Sequence, residues 1–200
     1  MSEAARIDPP VTIAEFDAFL EAQKDDSLWE LVAGAIVAMT NPTEAHEQIV
    51  ANLGAPLKLA MDSKQCRAFL GGMRVQRSDR TDAVDKPRPD IVVRCGPFQG
   101  RTYITDPLVV VEVLPPSTID IDRGEKLRFY KRLPTLRHIA LVYQDQMRIE
   151  HYRKTDEGWR MEVLIQPGES LHFEAVGFAV ELDRIYFGVP AIELKLARGR

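Results

Sequence analysis

The stretch VVVEVLPPST, residues 109–118, places a carboxylate inside an apolar run. Three valines precede Glu112, two more apolar residues follow it, and prolines end the run. With the two residues before it, the segment 107–114 is apolar on both faces, which predicts a buried central strand. Because an unpaired buried charge costs several kcal/mol, Glu112 needs either a partner or a function.

The composition is that of one soluble globular domain. The chain has 200 residues, of which 45% are hydrophobic and 28% charged. Its net charge of -4 gives no general case for a nucleic-acid or membrane partner, so DNA binding requires a local basic patch. Cys66 and Cys95 match neither a disulfide framework nor a zinc motif, and we expect free thiols.

The chain also lacks the common targeting and cofactor motifs. It has no signal-peptide pattern and no apolar run near the roughly 18 residues that span a membrane. It has no glycine-rich nucleotide loop either, so we expect no membrane partner and no organic cofactor. The expected location is the cytoplasm, where free thiols persist.

Helix signals occur at four places. Thr12 and Glu15 form a capping box before a helix over 14–23. Thr43 caps a second helix over 44–63, which Gly54 and Pro56 should kink or interrupt. The expected apolar side of this helix is Ile49, Leu53, Leu57 and Leu59. A third helix runs from a cap at Asp122 to Leu133, and 182–187 is a last helical turn.

Strand signals alternate irregularly with these helices. A hairpin is predicted over 29–39 around Ala33-Gly34, and an antiparallel meander is predicted after residue 146. The remaining predicted strands are 68–77 with a glycine bulge, 89–95, 107–114 and 138–144. This order indicates an α/β (α+β) fold, with a loose arm over 1–11, one domain over 12–188 and a tail over 189–200.

Two carboxylates mark adjacent predicted strands. Asp90 opens the strand 89–95, and Glu112 lies in the next strong strand. If the strands are neighbours, the carboxylates converge at one end of the sheet and each opposes ionisation of the other. A divalent cation removes this penalty, and Mg²⁺ is typically held by one or two carboxylates with water and phosphate oxygens.

A basic segment follows the second carboxylate. From Arg123 to Arg137 the chain carries six positive residues and one negative residue. Lys126 and Tyr130 are four residues apart on one helical face, and Lys126 can orient a water or stabilise phosphoryl charge. Arg123 is a candidate substrate contact because cations suit a phosphodiester, and Tyr130 is another because it shares the helical face of Lys126.

Structural explanations compete with each of these assignments. Asp90 follows a proline and can be a turn residue, and Glu112 with Lys126 can be a buried ion pair that only fixes packing. A basic helix face is commonly just solvated charge.

Six segments together resemble the Uma family of restriction endonucleases, within the PD-(D/E)xK nuclease superfamily. They are 29–39, 41–53, 88–93, 109–118, 122–132 and 138–153. The resemblance spans about residues 12–188 and implies a restriction-endonuclease-like fold, a mixed central sheet flanked by helices. It also implies Mg²⁺- or Mn²⁺-dependent phosphodiester hydrolysis.

The resemblance assigns roles to individual residues. Asp90 matches the PD aspartate and Glu112 the second acid, and the metal would also take the Val113 carbonyl. Leu114 stands where the superfamily lysine is expected, so that role maps to Lys126. Glu30 matches an acidic position that can complete the cluster or simply pair with a cation. His46 matches a family histidine and is a candidate substrate contact or a hydrogen-bonding surface residue.

The leading hypothesis is therefore a metal-dependent endonuclease acting on DNA, expected as a homodimer. The main alternative is a catalytically inactive nuclease-fold module that binds nucleic acid or a protein partner, because a fold does not fix a function. A third possibility is a homodimer with a structural role, in which the meander forms the interface.

Overall fold

The structure, a computed structural model, describes residues 9–62, 65–115 and 122–189. The predicted arm up to residue 8 and the tail from residue 190 lie outside these ranges. The helices are α1 (Ile13–Ala22), α2 (Glu44–Asp62), α3 (Leu127–Lys131) and α4 (Leu182–Ile185). The first strands are β1 (Trp29–Val32), β2 (Ala35–Ala38), β3 (Cys66–Leu70), β4 (Arg74–Val75), β5 (Ile91–Cys95) and β6 (Tyr103–Ile104). The later strands are β7 (Val109–Leu114), β8 (His138–Tyr143), β9 (Ile149–Thr155), β10 (Gly158–Leu164), β11 (Ser170–Phe173) and β12 (Phe178–Glu181). None of the helices in the described ranges is long and apolar enough to cross a membrane.

A mixed six-stranded sheet, in the order β10-β9-β8-β7-β5-β3, organises the fold. Strand β7 pairs in parallel with β8 and antiparallel with β5. Every residue of β7 is buried, which confirms the predicted central strand. The expected α/β (α+β) class, with a mixed central sheet and flanking helices, is confirmed.

The two faces of β7 pack into two different cores. Val109, Val111 and Val113 contact the cluster that contains α2. Val110 and Leu114 contact the cluster that contains α3. Because side chains alternate along a strand, Glu112 shares the second face and points toward α3. The sequence therefore places a carboxylate on a face of β7 that is otherwise apolar.

Helix α2 differs from its prediction in two respects. It begins after Thr43, whose hydroxyl accepts the His46 N–H as expected of a cap, but it continues through Pro56 without interruption. Gly54 allows close packing, because a Cβ there would lie 2.6 Å from Leu70. The prediction that Leu59 lies on the buried side of α2 is wrong, since Leu59 is 73% exposed and Met61 is buried instead. Packing of one continuous helix face outweighs the cost of the proline.

The prediction that residues 68–77 form one bulged strand is wrong. Strand β3 ends at Leu70, and β4 belongs to a separate two-stranded sheet with β6. Between them Gly71 has a φ of +65°, which favours glycine and turns the chain.

The C-terminal segments do not form one meander. Strands β9 and β10 extend the central sheet, whereas β11 and β12 pair as a separate hairpin. A 3-10 turn at Glu174–Val176 joins the two strands of that hairpin. The predicted third helix also starts differently, because a π-helical turn at Asp122–Lys126 precedes α3.

The expectation of two free thiols is wrong. Cys66 and Cys95 face each other across the β3–β5 pair and form a disulfide that closes a separation of 29 residues. Antiparallel register brings them together, which spacing along the chain alone does not reveal.

We expect no reactive thiol in the unfolded, unreduced protein and two after reduction, measured with a thiol reagent. Reduction should lower the free energy of unfolding by roughly 3 kcal/mol, because the unfolded chain gains the entropy of an open loop. A Cys66→Ser/Cys95→Ser variant should not respond to reductant. Two thiols without reductant would contradict the pairing.

Two buried histidines form a chain of hydrogen bonds between β8, β9 and β10. The Ala175 N–H donates to His138 Nε2 at 3.1 Å, so the proton of His138 is on Nδ1. His138 Nδ1 then donates to His151 Nε2 at 3.1 Å, and His151 Nδ1 donates to the Glu162 carboxylate at 2.7 Å. Burial and the neighbouring His151 lower the pKa of His138 to about 4. Burial also lowers the pKa of His151, against the opposing effect of Glu162.

Stability should fall as the pH falls from 7 to 5. The unfolded histidines take up protons near their ordinary pKa of about 6.5, whereas in the folded state the pKa of His138 is about 4 and that of His151 is also lowered. The unfolded state therefore binds more protons in this window, and the free energy of unfolding decreases by about 1 to 2 kcal/mol.

Denaturant unfolding at each pH measures this effect. His138→Gln should reduce the pH dependence, and the exposed His172→Gln should leave it unchanged. Equal pH dependence in all three proteins would contradict the assignment.

Candidate active site

A cavity of about 170 Å³ lies where β7 ends and β5 begins. Since β5 runs antiparallel to β7, the residue before β5 is level with the carboxyl end of β7. The cavity wall contains four of the predicted catalytic residues and the predicted histidine: Glu30, His46, Asp90, Glu112 and Lys126. Separate strands, the first hairpin and two helices thus bring these side chains together.

Glu112 is buried, and Tyr130 and Lys126 are among the residues that contact its carboxylate. Its Oε1 accepts the Tyr130 hydroxyl at 2.6 Å and lies 3.5 Å from Lys126 Nζ. Both partners come from the π-helical turn and α3, which follow β7 and fold back over its second face. A cation and a hydroxyl therefore offset the desolvation of the carboxylate.

Lys126 bridges two carboxylates. Its Nζ lies 2.8 Å from Glu30 Oε1 as well as 3.5 Å from Glu112. The other oxygen of Glu30 accepts the Arg88 N–H at 3.2 Å. Because Glu30 and Lys126 are only 4% and 5% exposed, this pairing is electrostatically stronger than a surface ion pair.

Asp90 is held by the neighbouring strand and by α2. Its Oδ2 accepts the Val113 N–H at 2.7 Å, and its Oδ1 lies 3.2 Å from His46 Nε2. The β5–β7 ladder ends at the pair Ile91–Val111. Beyond it, the Asp90 carboxylate replaces a backbone carbonyl of β5 as the acceptor of the Val113 N–H. The N–H and C=O of one residue face the same side of a strand, so the Val113 carbonyl also faces Asp90.

His46 is placed by the first turn of α2. Its Nδ1 lies 3.2 Å from Glu47, on the side opposite to the Asp90 contact. Burial by itself lowers the pKa of His46, but hydrogen bonding and the negative charges of Asp90 and Glu47 together raise it above the ordinary value. The imidazole therefore acts as a donor toward the Asp90 carboxylate.

Two predicted substrate contacts do not reach the cavity wall. Tyr130 is fully buried and its hydroxyl is directed to Glu112. Arg123 lies outside the cavity, with its Nη2 3.1 Å from the buried Glu150. Tyr143 and Arg148 also bond Glu150, so this carboxylate anchors the π-helical turn that carries Lys126.

Gln144 and Arg88 are polar residues of the cavity wall that have no role in the sequence prediction. Gln144 follows β8 and accepts the Thr43 hydroxyl at 2.7 Å. Arg88 lies two residues before Asp90 and donates from Nε to the Gly71 carbonyl at 2.9 Å. A signal for Gln144 was its position directly after a strand parallel to β7, because ligands bind at the carboxyl ends of such strands.

The donor set fits a hard divalent cation. Asp90 and Glu112 supply carboxylates and Val113 supplies a carbonyl, and Mg²⁺ commonly completes its shell with waters. The described ranges contain no cluster of three or more His, Cys, Asp and Glu arranged for a metal. These residues therefore fit a metal site in which the protein supplies few ligands and water supplies the rest.

Comparison with known protein families identifies the family of this chain. Residues 13–183 match the sequence model of the family Uma2, which is described as "Putative restriction endonuclease". The chain belongs to the Uma2 family. The match spans from α1 to α4 and so includes every residue of the cavity wall. Uma2 membership supports a nuclease.

Two uncharacterized proteins of the cyanobacterium Synechocystis sp. are similar to this Uma2 chain. The protein slr1290 is 29% identical over 183 residues, covering 90% of this chain and 94% of the relative. The protein sll1609 is 25% identical over 147 residues, covering 72% and 82%.

A solved structure shares the fold. A crystal structure described as "a putative nuclease belonging to DUF820" from Anabaena variabilis ATCC 29413 superposes with a TM-score of 0.72. It is 18% identical in sequence and covers 90% of this chain and 99% of that chain. At this identity the likeness establishes the Uma2 chain's architecture, a nuclease-like mixed sheet.

Removing Lys126 should destabilise the metal-free protein. Lys126→Ala leaves Glu30 and Glu112 without their shared cation, and we expect a loss of roughly 3 kcal/mol in the free energy of unfolding. Urea denaturation measures this loss. Lys58→Ala is the matched control, because Lys58 is exposed and pairs with Asp62 on the helix surface. Equal losses would show that the buried bridge contributes no more than a surface pair.

Proposed function

We propose that the protein is a Mg²⁺- or Mn²⁺-dependent endonuclease that hydrolyses phosphodiester bonds in DNA. The observation that carries this proposal is the convergence of Asp90, Glu112 and Lys126 in one cavity. Family membership supports the nuclease class. The conclusion therefore rests on site chemistry and on sequence similarity together.

Asp90, Glu112 and the Val113 carbonyl would hold the metal. When bound, it would lower the pKa of a coordinated water and polarise the scissile phosphate. The contacts of Asp90 favour this role, because the Val113 N–H and His46 fix the carboxylate while leaving lone pairs for further bonds.

Lys126 would position the attacking water or the phosphate. Its ammonium has three donors, and its neighbours Glu30 and Glu112 set its orientation without supplying covalent chemistry. Glu30 completes the acidic cluster by holding Lys126. Tyr130 positions Glu112 rather than the substrate, because its hydroxyl is buried. Arg123 is an outer DNA contact in this proposal, since it is half-exposed on the basic segment.

His46 would orient Asp90 and contact the substrate side of the cavity. It lines the cavity and lies within hydrogen-bonding distance of Asp90. We include a homodimer in the proposal, because a duplex has two strands and each chain supplies one Asp90–Glu112–Lys126 set, so that two chains would cut both strands. Light scattering with and without duplex DNA measures the oligomeric state.

Plasmid cleavage tests the proposal. We expect the wild type to nick or linearise plasmid DNA in Mg²⁺ or Mn²⁺ but not in a chelator. Glu112→Gln, Asp90→Asn and Lys126→Ala should each lose at least about 100-fold in rate, the scale of losing a charge from a preorganised site. Glu157→Gln, an exposed turn substitution, is the control.

Calorimetry separates catalysis from binding alone. Glu112→Gln should also weaken Mg²⁺ binding measured by titration. Equal residual cleavage in wild type and variants would overturn the residue assignment. DNA binding without metal binding or cleavage would instead favour a catalytically inactive nuclease-fold module.

A further inference from the structure

Arg88 lines the cavity, and its guanidinium has no carboxylate partner among the described residues. Its Nε and Nη2 both donate to the Gly71 carbonyl. Lys126, by contrast, lies between Glu30 and Glu112. An arginine has five N–H donors, so most of the Arg88 fork is not used by the Gly71 carbonyl.

A second arginine increases the positive potential at this position. Arg74 donates to the Trp29 carbonyl at 3.3 Å and likewise has no ion-pair partner in the described ranges. Burial and the charge of Arg88 lower the pKa of Arg74, against the opposing effects of Asp17 and Glu30. Two neighbouring guanidinium groups repel each other, and an anion between them and the solvent would relieve that repulsion.

The chain beside Arg88 leaves space for a ligand backbone. Gly71 and Gly72 are exposed, and a Cβ added at either would meet no atom closer than 3.9 Å. Gly71 also lines the cavity. Glycines permit close approach of a ligand to the protein backbone.

We propose that Arg88 binds a backbone phosphate of the DNA strand that enters the cavity over the Gly71–Gly72 turn. This proposal rests on the proposed nuclease function and names the contact that positions the strand. The Gly71 carbonyl fixes the guanidinium, and the unused N–H groups meet the phosphate oxygens in the paired geometry that arginine favours. Arg88 is thus a substrate-binding residue beside the acidic cluster.

The salt dependence of DNA binding tests this role. Fluorescence anisotropy with a labelled duplex in Ca²⁺ gives Kd over a series of salt concentrations. Removing one phosphate contact should reduce the slope of log K against log salt by about 0.9. We expect this change in Arg88→Ala with a Kd increase of about 10-fold at low salt, and a smaller change in Arg88→Lys, which keeps the charge.

Arg160→Ala is the matched control, because Arg160 is exposed on β10 and contacts Glu157. Its slope should equal that of the wild type. Arg88→Ala with the control's slope and Kd would overturn the proposal, since a role confined to holding the turn does not change the number of phosphate contacts. Thermal melts of both Arg88 variants establish whether they are folded. If Arg88→Ala does not fold, the comparison of Arg88→Lys with the wild type still tests the proposal.

The outcomes for Arg88 and for hydrolysis are distinguishable. Wild-type DNA binding with the predicted slope change but no cleavage would uphold Arg88 and overturn the hydrolytic function. Wild-type cleavage with an unchanged slope would uphold the hydrolytic function and overturn Arg88. Absence of both DNA binding and cleavage in the wild type would overturn both.

Discussion

The fold depends on neutralising one buried carboxylate. Glu112 interrupts the apolar face of β7 between Val110 and Leu114, where an unpaired charge would cost several kcal/mol. The Tyr130 hydroxyl and the Lys126 ammonium offset that cost only if the segment after β7 folds back over the sheet. Lys126 in turn requires Glu30, so the first hairpin must dock on the same edge. One electrostatic requirement therefore links three separate parts of the chain.

Much of this arrangement follows from local sequence patterns. The apolar run of β7 predicts a central strand, and the proline before Asp90 marks the start of β5. Once those strands are neighbours, the meeting of Asp90 and Glu112 at one sheet edge follows from the antiparallel direction. The positions of Glu30 and His46 are different, because only the family resemblance pointed to them. No periodicity relates a hairpin residue to a lysine on a distant helix.

The features that sequence patterns missed depend on contacts between distant segments. Pro56 is accommodated because the buried face of α2 packs against the sheet, a stabilisation that local propensity does not include. Cys66 and Cys95 pair through strand register. Tyr130 was predicted to face substrate because it shares a helical face with Lys126, but that face is directed inward toward Glu112. Shared position on a helix therefore predicts proximity of side chains but not which of them reaches the solvent.

The structural explanation for Glu112 and Lys126, a buried ion pair that only fixes packing, accounts for part of the site. It explains the Lys126 contacts, because a buried pair persists only where close partners and further hydrogen bonds offset its desolvation. It does not explain why Asp90, held by the Val113 N–H and His46, lines the same cavity. Packing alone would favour filling this space with apolar side chains, since empty volume and an additional carboxylate both cost free energy. A cavity lined by acids, with Arg88 in its wall, is instead the arrangement that a cation and a phosphate together would stabilise.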